Sequence, residues 1–289
     1  IEEYASTGGY YFASGKIAKK YINELFVKDI LINGEAYISS AYDLMIKDGL
    51  NVNVFDIDYF FQWGTPEDYK EFLYCMDEID SLKTKKQINL SNFNLVIPAA
   101  GMGSRFSDKG YTTPKIFLNV NGNKMIKTIL NKFKNQSTTS VLGNKDVIDK
   151  LNEVFADSSN VRLSSVDSVT KGQSDSANLL IEEIENDLPI FIQSADCILS
   201  DIDLNNIMSL DPDLVVLTKQ NYRRAITNPE NYGWVLSENN LVNKTNIKKK
   251  PSNKNYSMIL GSFIFKNKEL YQKIYKELLK QAPGELHID

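Results

Sequence analysis

The sequence predicts an α/β fold: a mainly parallel twisted sheet with helices on both faces. Three observations carry this. From residue 94 onward, short apolar runs of strand length alternate with amphipathic helical stretches, which requires crossover connections. A loop of small residues, Ala99, Ala100, Gly101 and Gly103, directly follows the first of those strands. A strand–helix–Gly-Glu pattern occurs twice, separated by about the size of a domain.

The first copy of that pattern opens at Gly8-Gly9-Tyr10-Tyr11-Phe12, which reads as a strand. A helical stretch follows, then Gly34-Glu35 at a turn and the apolar alternation Ala36-Tyr37-Ile38. Thr65, Pro66 and Asp68 form a helix start of the capping-box type, and the helix runs through Tyr69, Phe72, Leu73 and Met76 to about Ile79. Residues 81–93 carry no sustained periodicity and read as a linker between a segment 1–80 and a domain 94–289.

In that domain Leu95-Val96-Ile97 is a buried strand, with further strands expected at 138–142, 161–165, 189–193 and 213–217. Helices are expected near 124–134, 144–156, 173–186 and 203–209. Residues 232–247 read as a hairpin turning at Glu238-Asn239-Asn240. The second copy of the repeated pattern closes the chain: strand Ser262–Phe265 after Gly261, a helix at 267–281, then Gly284-Glu285-Leu286-His287-Ile288.

Composition narrows the function. The 289 residues are 42% hydrophobic and 24% charged, as in ordinary globular proteins. A net charge of −4 offers no general attraction to nucleic acid or to an anionic membrane. Cys75 and Cys197 are too few and too far apart for a disulfide framework, which fits a reducing cytoplasmic setting. The single His287 excludes a His-rich metal site within one chain. No apolar run approaches the roughly 18 residues of a membrane span, and no signal peptide is evident. The sequence begins at Ile1 rather than Met, as a piece of a longer chain would.

The strongest candidate site is Pro98-Ala99-Ala100-Gly101-Met102-Gly103-Ser104-Arg105-Phe106, continuing to Tyr111-Thr112-Thr113-Pro114-Lys115. Small residues after a strand let backbone N–H groups approach a phosphate or a base. Arg105 adds a planar fork of donors for phosphate oxygens, and Lys115 a compact cation. A P-loop would need Gly-Lys-Ser/Thr, which is absent, and a dinucleotide fingerprint would need a third Gly where Phe106 stands.

These motifs resemble the signature of the sugar-1-phosphate nucleotidyltransferases. Gly101–Phe106 with Gly110-Tyr-Thr-Thr-Pro-Lys115 is similar to the branch found in capsule and surface-polysaccharide gene clusters. Thr170-Lys171-Gly172-Gln173-Ser174 resembles the second nucleotide loop of that family, with Gly172 and Gln173 framing the base. Phe191-Ile192-Gln193-Ser194-Ala195-Asp196 is an apolar strand ending where the family keeps an Mg²⁺-binding Asp. Tyr232-Gly233-Trp234-Val235 and the basic run Lys248-Lys249-Lys250 match the sugar half, with Lys249 as the sugar-phosphate contact. Two positions depart from the pattern. Lys248 stands where relatives have a sugar-binding Glu, and Ile116 where many have a second Pro.

Residues 6–12, 33–38 and 63–68 are similar instead to the C-terminal third of the family. The tail of one copy thus precedes the head and middle of another, with Gly8 and Glu35, or Gly261 and Glu285, on the sugar side. Two arrangements are compatible with this order: a window from a tandem of two domains, or a fold in which 1–80 completes 94–289. The second is a circular permutation within the chain or a homodimer by segment exchange. The resemblance implies NTP and a sugar 1-phosphate as partners and Mg²⁺ as cofactor. Its second carboxylate would fall near Ser39, Ser40 and Asp43, or near Asp289. A catalytically silent nucleotide-binding copy and a related glycosyltransferase remain as alternatives. The latter would use an Asp-x-Asp pair, such as Asp56-x-Asp58 or Asp201-x-Asp203.

Overall fold

The structure, a computed structural model, describes residues 6–57, 60–83, 86–200, 202–247 and 256–281. The chain divides into two compact units, Ile1–Asp80 and Ser81–Asp289.

In the first unit, α1 (Gly15–Val27) starts at Ser14, whose hydroxyl accepts from the Ile17 N–H at 3.3 Å. Tyr21 and Leu25, one turn apart, face Ala41, Leu44 and Met45 of α2 (Ser40–Lys47) and make a small core. The Tyr21 hydroxyl donates to Asp48 at 2.7 Å and ties down the end of α2. α3 (Pro66–Lys83) opens with the expected reciprocal cap. The Thr65 N–H and hydroxyl donate to the Asp68 carboxylate at 3.1 and 2.8 Å, and the Asp68 N–H donates to Thr65 Oγ1 at 3.1 Å. The helix runs past its expected end near Ile79.

The strand expected at 8–12 does not form. Among the described residues of this unit, only an Ile32–Glu35 bridge pairs in the manner of a sheet, and a lone strand has no partner to satisfy its ladder. That bridge closes around Asn33 and Gly34, both at positive φ, so the Gly-Glu turn itself is present.

The second unit begins with β1 (Ile88–Asn89), where a linker was expected. Ile88, Leu90 and Phe93 are buried with the main core. Three apolar residues are too few to declare a period, which is why the segment reads as featureless by itself. β2 (Asn94–Pro98), α4 (Ser104–Ser107), a small hairpin of β3 (Asn119–Val120) and β4 (Asn123–Lys124), and α5 (Met125–Leu130) come next. α5 is shorter than expected because Phe133–Lys134 becomes β5, paired in parallel with β1.

The chain continues through β6 (Thr138–Asn144), α6 (Ile148–Val154), β7 (Val161–Val166), α7 (Gln173–Glu182) and β8 (Ile190–Ile192). The unit ends with α8 (Leu204–Met208), β9 (Leu214–Lys219), α9 (Arg223–Thr227), the hairpin β10 (Gly233–Glu238) and β11 (Leu241–Ile247), then β12 (Tyr256–Phe265) and α10 (Lys268–Gln281). The hairpin turns at Asn239 and Asn240, both at positive φ, as expected for this connection.

The main sheet runs β11-β10-β12-β8-β2-β6-β7, and β9 also pairs with β12. β8, β2, β6 and β7 are parallel and form one side of the sheet, with β7 at its edge, while the hairpin side is antiparallel. This is the expected α/β architecture. Leu95, Ile97, Val141 and Phe191 point to one face, where α5 and α6 cover them. Val96, Leu142, Ile190 and Ile192 point to the other, under α7 and α10. Alternation along each strand thus fills both faces with apolar side chains. No helix among the described residues is long and apolar enough to cross a membrane.

Phe191 is fully buried and meets Phe133 edge-on at 5.4 Å. Phe191→Ala is expected to cost about 3–5 kcal/mol in urea unfolding. An unchanged midpoint would place Phe191 outside the stabilising core.

Candidate functional site

Parallel pairing of β2 with β8, with Leu95 opposite Phe191 and Val96 opposite Ile192, brings the carboxyl ends of both strands to the same sheet edge. The candidate site is built there, as is usual in open α/β sheets. Beyond β2 the chain stays anchored for two residues. Ala99 and Ala100 are buried; the Ala99 N–H donates to the Leu142 carbonyl at 2.9 Å and the Asn144 amide to the Ala100 carbonyl at 3.4 Å. Gly101 is exposed, with open space where a Cβ would project, so its backbone is accessible to a ligand.

Gly103 sits at φ +65° ahead of α4, with the Lys115 Cβ 3.5 Å from where its own Cβ would lie. That positive φ suits glycine, while the Lys115 contact would tolerate a Cβ. Phe106 and Tyr111 close the intervening loop edge-on at 5.4 Å, and the Tyr111 N–H donates to the Phe106 carbonyl. Lys115 is thereby returned to the sheet edge, where its Nζ lies 2.8 Å from Asp196 Oδ2. The Ser194 hydroxyl donates to Asp196 Oδ1 at 2.5 Å.

Burial pushes the Asp196 carboxyl up, yet it lies below the ordinary value. The Lys115 ammonium, the Ser194 hydroxyl and the more distant Arg105 charge together outweigh desolvation. The Asp196 side chain is 50% exposed and that of Lys115 26% exposed, so this ion pair faces solvent at a mouth. The Arg105 charge also reaches Tyr232. Burial and the neighbouring Tyr222 raise its hydroxyl pKa, while Arg224 and Arg105 oppose that rise. Arg105 therefore acts on Tyr232 and Asp196 alike. Trp234 donates its indole N–H to the Pro229 carbonyl at 2.8 Å. Gly233 begins β10 beside it, opposite Ile247.

The second loop is held at the start of α7. Gly172 is at φ +133°, a conformation open to glycine, and the Gln173 amide donates to the Gly261 carbonyl at 2.8 Å. The Lys171 N–H and the Tyr275 hydroxyl both donate to the Asp175 carboxylate, at 2.9 and 2.6 Å. The Tyr271 hydroxyl donates to the Ser174 carbonyl at 2.6 Å. Burial first, and the Asp175 contact next, keep Tyr275 protonated far above neutral pH. α10 thus clamps the loop expected to frame the base.

Lys115 and Asp196 pair next to the Ala99–Gly103 loop, and the Arg105 charge acts on Asp196. Gln173, next to Gly172 in sequence, meets Gly261. Gly8 and Glu35 lie in the first unit, where Glu35 accepts from the Tyr37 hydroxyl at 3.1 Å. Lys249 and Glu285 lie outside the described residues, as do Lys248, Asp58, Asp201 and Asp289. Asp203, half of one Asp-x-Asp string, caps α8 by accepting from the Asn206 N–H at 3.1 Å. Among the described residues, no three His, Cys, Asp or Glu side chains cluster as metal ligands.

Sequence reading assigned no role to Ser194, Gln193, Ser262 or Tyr275. Only Gln193 left a signal, as a polar residue inside an otherwise apolar strand run.

Residues 94–288 match the nucleotidyl transferase family, so the chain belongs to that family. Its fold is similar to that of the nucleoside-diphosphate-sugar pyrophosphorylase from Vibrio cholerae RC9, with a TM-score of 0.56 at 22% identity over 67% of this chain and 84% of that one. It is also similar to the inositol-1-phosphate CTP transferase from T. maritima, with a TM-score of 0.52 at 18% identity over 66% of this chain and 82% of that one. None of the curated proteins matches the sequence.

The Lys115–Asp196 pair has a definite pH dependence. The folded-state pKa of Asp196 lies below its unfolded value, so its stabilisation is present at neutral pH and is lost as pH falls through the folded value. Lys115→Met is expected to move the Asp196 carboxyl titration upward in carbon-detected NMR, because burial then acts with less opposition. A titration midpoint that stays put would dissociate the depressed value from Lys115.

Proposed function

We propose that this protein transfers a nucleotidyl group from an NTP to a sugar 1-phosphate or a similar phosphorylated polyol, forming an NDP-sugar and pyrophosphate. The observation that carries this reading is the Lys115–Asp196 pair, with the Arg105 charge acting on it, beside the small-residue loop at the carboxyl edge of β2 and β8. A surface-polysaccharide role rests on the likeness of Gly101–Phe106 and Gly110–Lys115 to that branch of the family. A polyol acceptor is supported by the name of the T. maritima neighbour.

The reaction is an in-line displacement. A phosphate oxygen of the acceptor forms a bond to the α-phosphorus while the bond to the β-phosphate oxygen breaks, and pyrophosphate departs. The protein's task is to align two polyanions and to neutralise the charge that builds between them. Arg105 holds the leaving pyrophosphate, and Lys115 stabilises the α-phosphoryl group. Ala100, Gly101 and Gly103 present the loop's backbone to the nucleotide, whereas the Ala99 N–H, expected to do the same, is committed to the Leu142 carbonyl and Ala99 only anchors the loop. Gly172 and Gln173 frame the base, Gln173 with the part of its amide not committed to Gly261. Lys249 receives the acceptor phosphate, with Gly233 on the same sugar side by the family resemblance.

A single half-exposed carboxylate is a poor cage for a metal by itself. It suits Mg²⁺, which is commonly held by one or two carboxylates together with substrate phosphates. Asp196 is the residue to hold it, and bound Mg²⁺ would neutralise phosphate charge. For that, Lys115 must exchange Asp196 for a phosphate oxygen. The first unit, by its likeness to the C-terminal third of the family, carries residues of the sugar-side type, such as Gly8 and Glu35. A cytoplasmic setting accords with the substrates.

Pyrophosphate–NTP exchange with candidate sugar and polyol phosphates tests this reading, preceded by a thermal-shift panel of NTPs and NDP-sugars with Mg²⁺ to find the base. Exchange is expected with one nucleotide. Arg105→Ala, Lys115→Met and Asp196→Asn should each lower it by about 100-fold or more. A folded protein that neither binds nor turns over any NTP would sink the proposal.

A further inference from the structure

The carboxylate at this site stands on a turn, and the turn is gripped from inside the protein. Gln193 comes directly after β8 and has no exposed surface. A primary amide in that position costs free energy unless it is bonded, and an apolar side chain would fill the space without that debt. All of its described bonds are internal. Its Nε2 donates to the Ser194 carbonyl at 2.8 Å and to the Cys197 carbonyl at 3.0 Å, with Cys197 Sγ at 3.4 Å. Its Oε1 accepts from the Ser262 hydroxyl at 3.4 Å. Ser262 Oγ in turn accepts from the Ser194 N–H at 3.3 Å. Both ends of the Ser194–Cys197 turn are therefore fastened to one buried amide, while Asp196 projects outward from between them to Lys115.

Ser262 reaches the turn because β12 bulges. Its register against β9 jumps from Ile259–Thr218 to Phe263–Val216, so extra residues lie on the β12 side. Gly261, within the bulge at φ +70°, packs against Ser194 and accepts from the Gln173 amide. Adjacent residues of one bulge thus fasten the Asp196 turn and the second loop.

We propose that Gln193, with Ser262, is a positioning residue that holds the Asp196 turn within reach of Lys115, and that the proposed nucleotidyl transfer depends on this grip. Gln193 touches no substrate in this scheme and acts through Asp196. The kinetic half rests on the function proposed above; the geometric half does not.

The test uses the whole chain in two measurements. In the first, limiting acetic anhydride labels lysines, and mass spectrometry gives the Lys115 rate relative to exposed Lys127. A carboxylate-bound ammonium is sheltered, so Asp196→Asn should raise that ratio severalfold. Gln193→Met and Ser262→Ala should raise it too, and Gln193→Met should add nothing in an Asp196→Asn background. In the second, pyrophosphate exchange by Gln193→Met should show kcat lowered about 10- to 100-fold, with the nucleotide KM changed far less.

A wild-type ratio in Gln193→Met, alongside a raised one in Asp196→Asn, would overturn the inference. So would equal additional rises on both backgrounds, or a uniform rise at every lysine, which would make Gln193 a stability residue only. A wild-type protein inert toward every NTP would refute the proposed function, and Lys115 labelling would still decide whether Gln193 holds the turn.

Discussion

The parallel pairing of β2 with β8 is the constraint on which the site depends. β2 pairs through five residues with β6 and through three with β8, and these backbone bonds fix where the strand lets the chain go. Because the strands are parallel, the loops leaving β2 and β8 start side by side. One delivers the small-residue loop and the other delivers Ser194–Asp196. Both strands are sealed on both faces by apolar side chains, so the pairing is stabilised far from the charges it positions.

On that platform the local chemistry is electrostatic. Asp196 and Lys115 are far apart in sequence and 2.8 Å apart in space. Gly103 turns the chain at φ +65°, a conformation that favours glycine, on the way to Lys115. The resulting pair is partly solvated, so its contribution to stability is small. Its value lies in holding both groups at a mouth where phosphates could take over the lysine. The same logic explains the second loop. Tyr271 and Tyr275 of α10 hold its backbone and Asp175 by short hydrogen bonds, placing Gly172 and Gln173 without using the groups that would face a ligand.

The two units are stabilised differently. The second has two large clusters, one on each face of the sheet. The first relies on a few residues of α1 and α2. Many of its large apolar side chains are exposed, among them Tyr11 at 86%, Val27 at 83% and Phe55 at 89%. Burial free energy scales with apolar area removed from water, so this unit draws little of it from its own interior. The repeated pattern makes the contrast concrete. Gly261–Phe265 is a strand inside a full sheet, whereas the similar Gly8–Phe12 forms no strand in its unit.

By itself the sequence determined the α/β class, the main strand–helix alternation of the second unit though not the short β3, β4, β5, α4 and α9, the Thr65–Asp68 cap and the Asn239–Asn240 turn. These features arise from local period and turn chemistry, which act between near neighbours. It also named Arg105, Lys115 and Asp196, because a Gly-x-Gly-x-Arg loop with a later Pro-Lys and a strand-end Asp are local strings. The tertiary structure decided the rest. It placed 88–93 in the core, left 8–12 without a ladder, and set the Gln173 amide on Gly261. It also revealed Gln193 and Ser262 as the grip on the Asp196 turn. Each of these depends on residues brought together from distant parts of the chain by strand register, and register is set by the packing of both sheet faces rather than by any single segment.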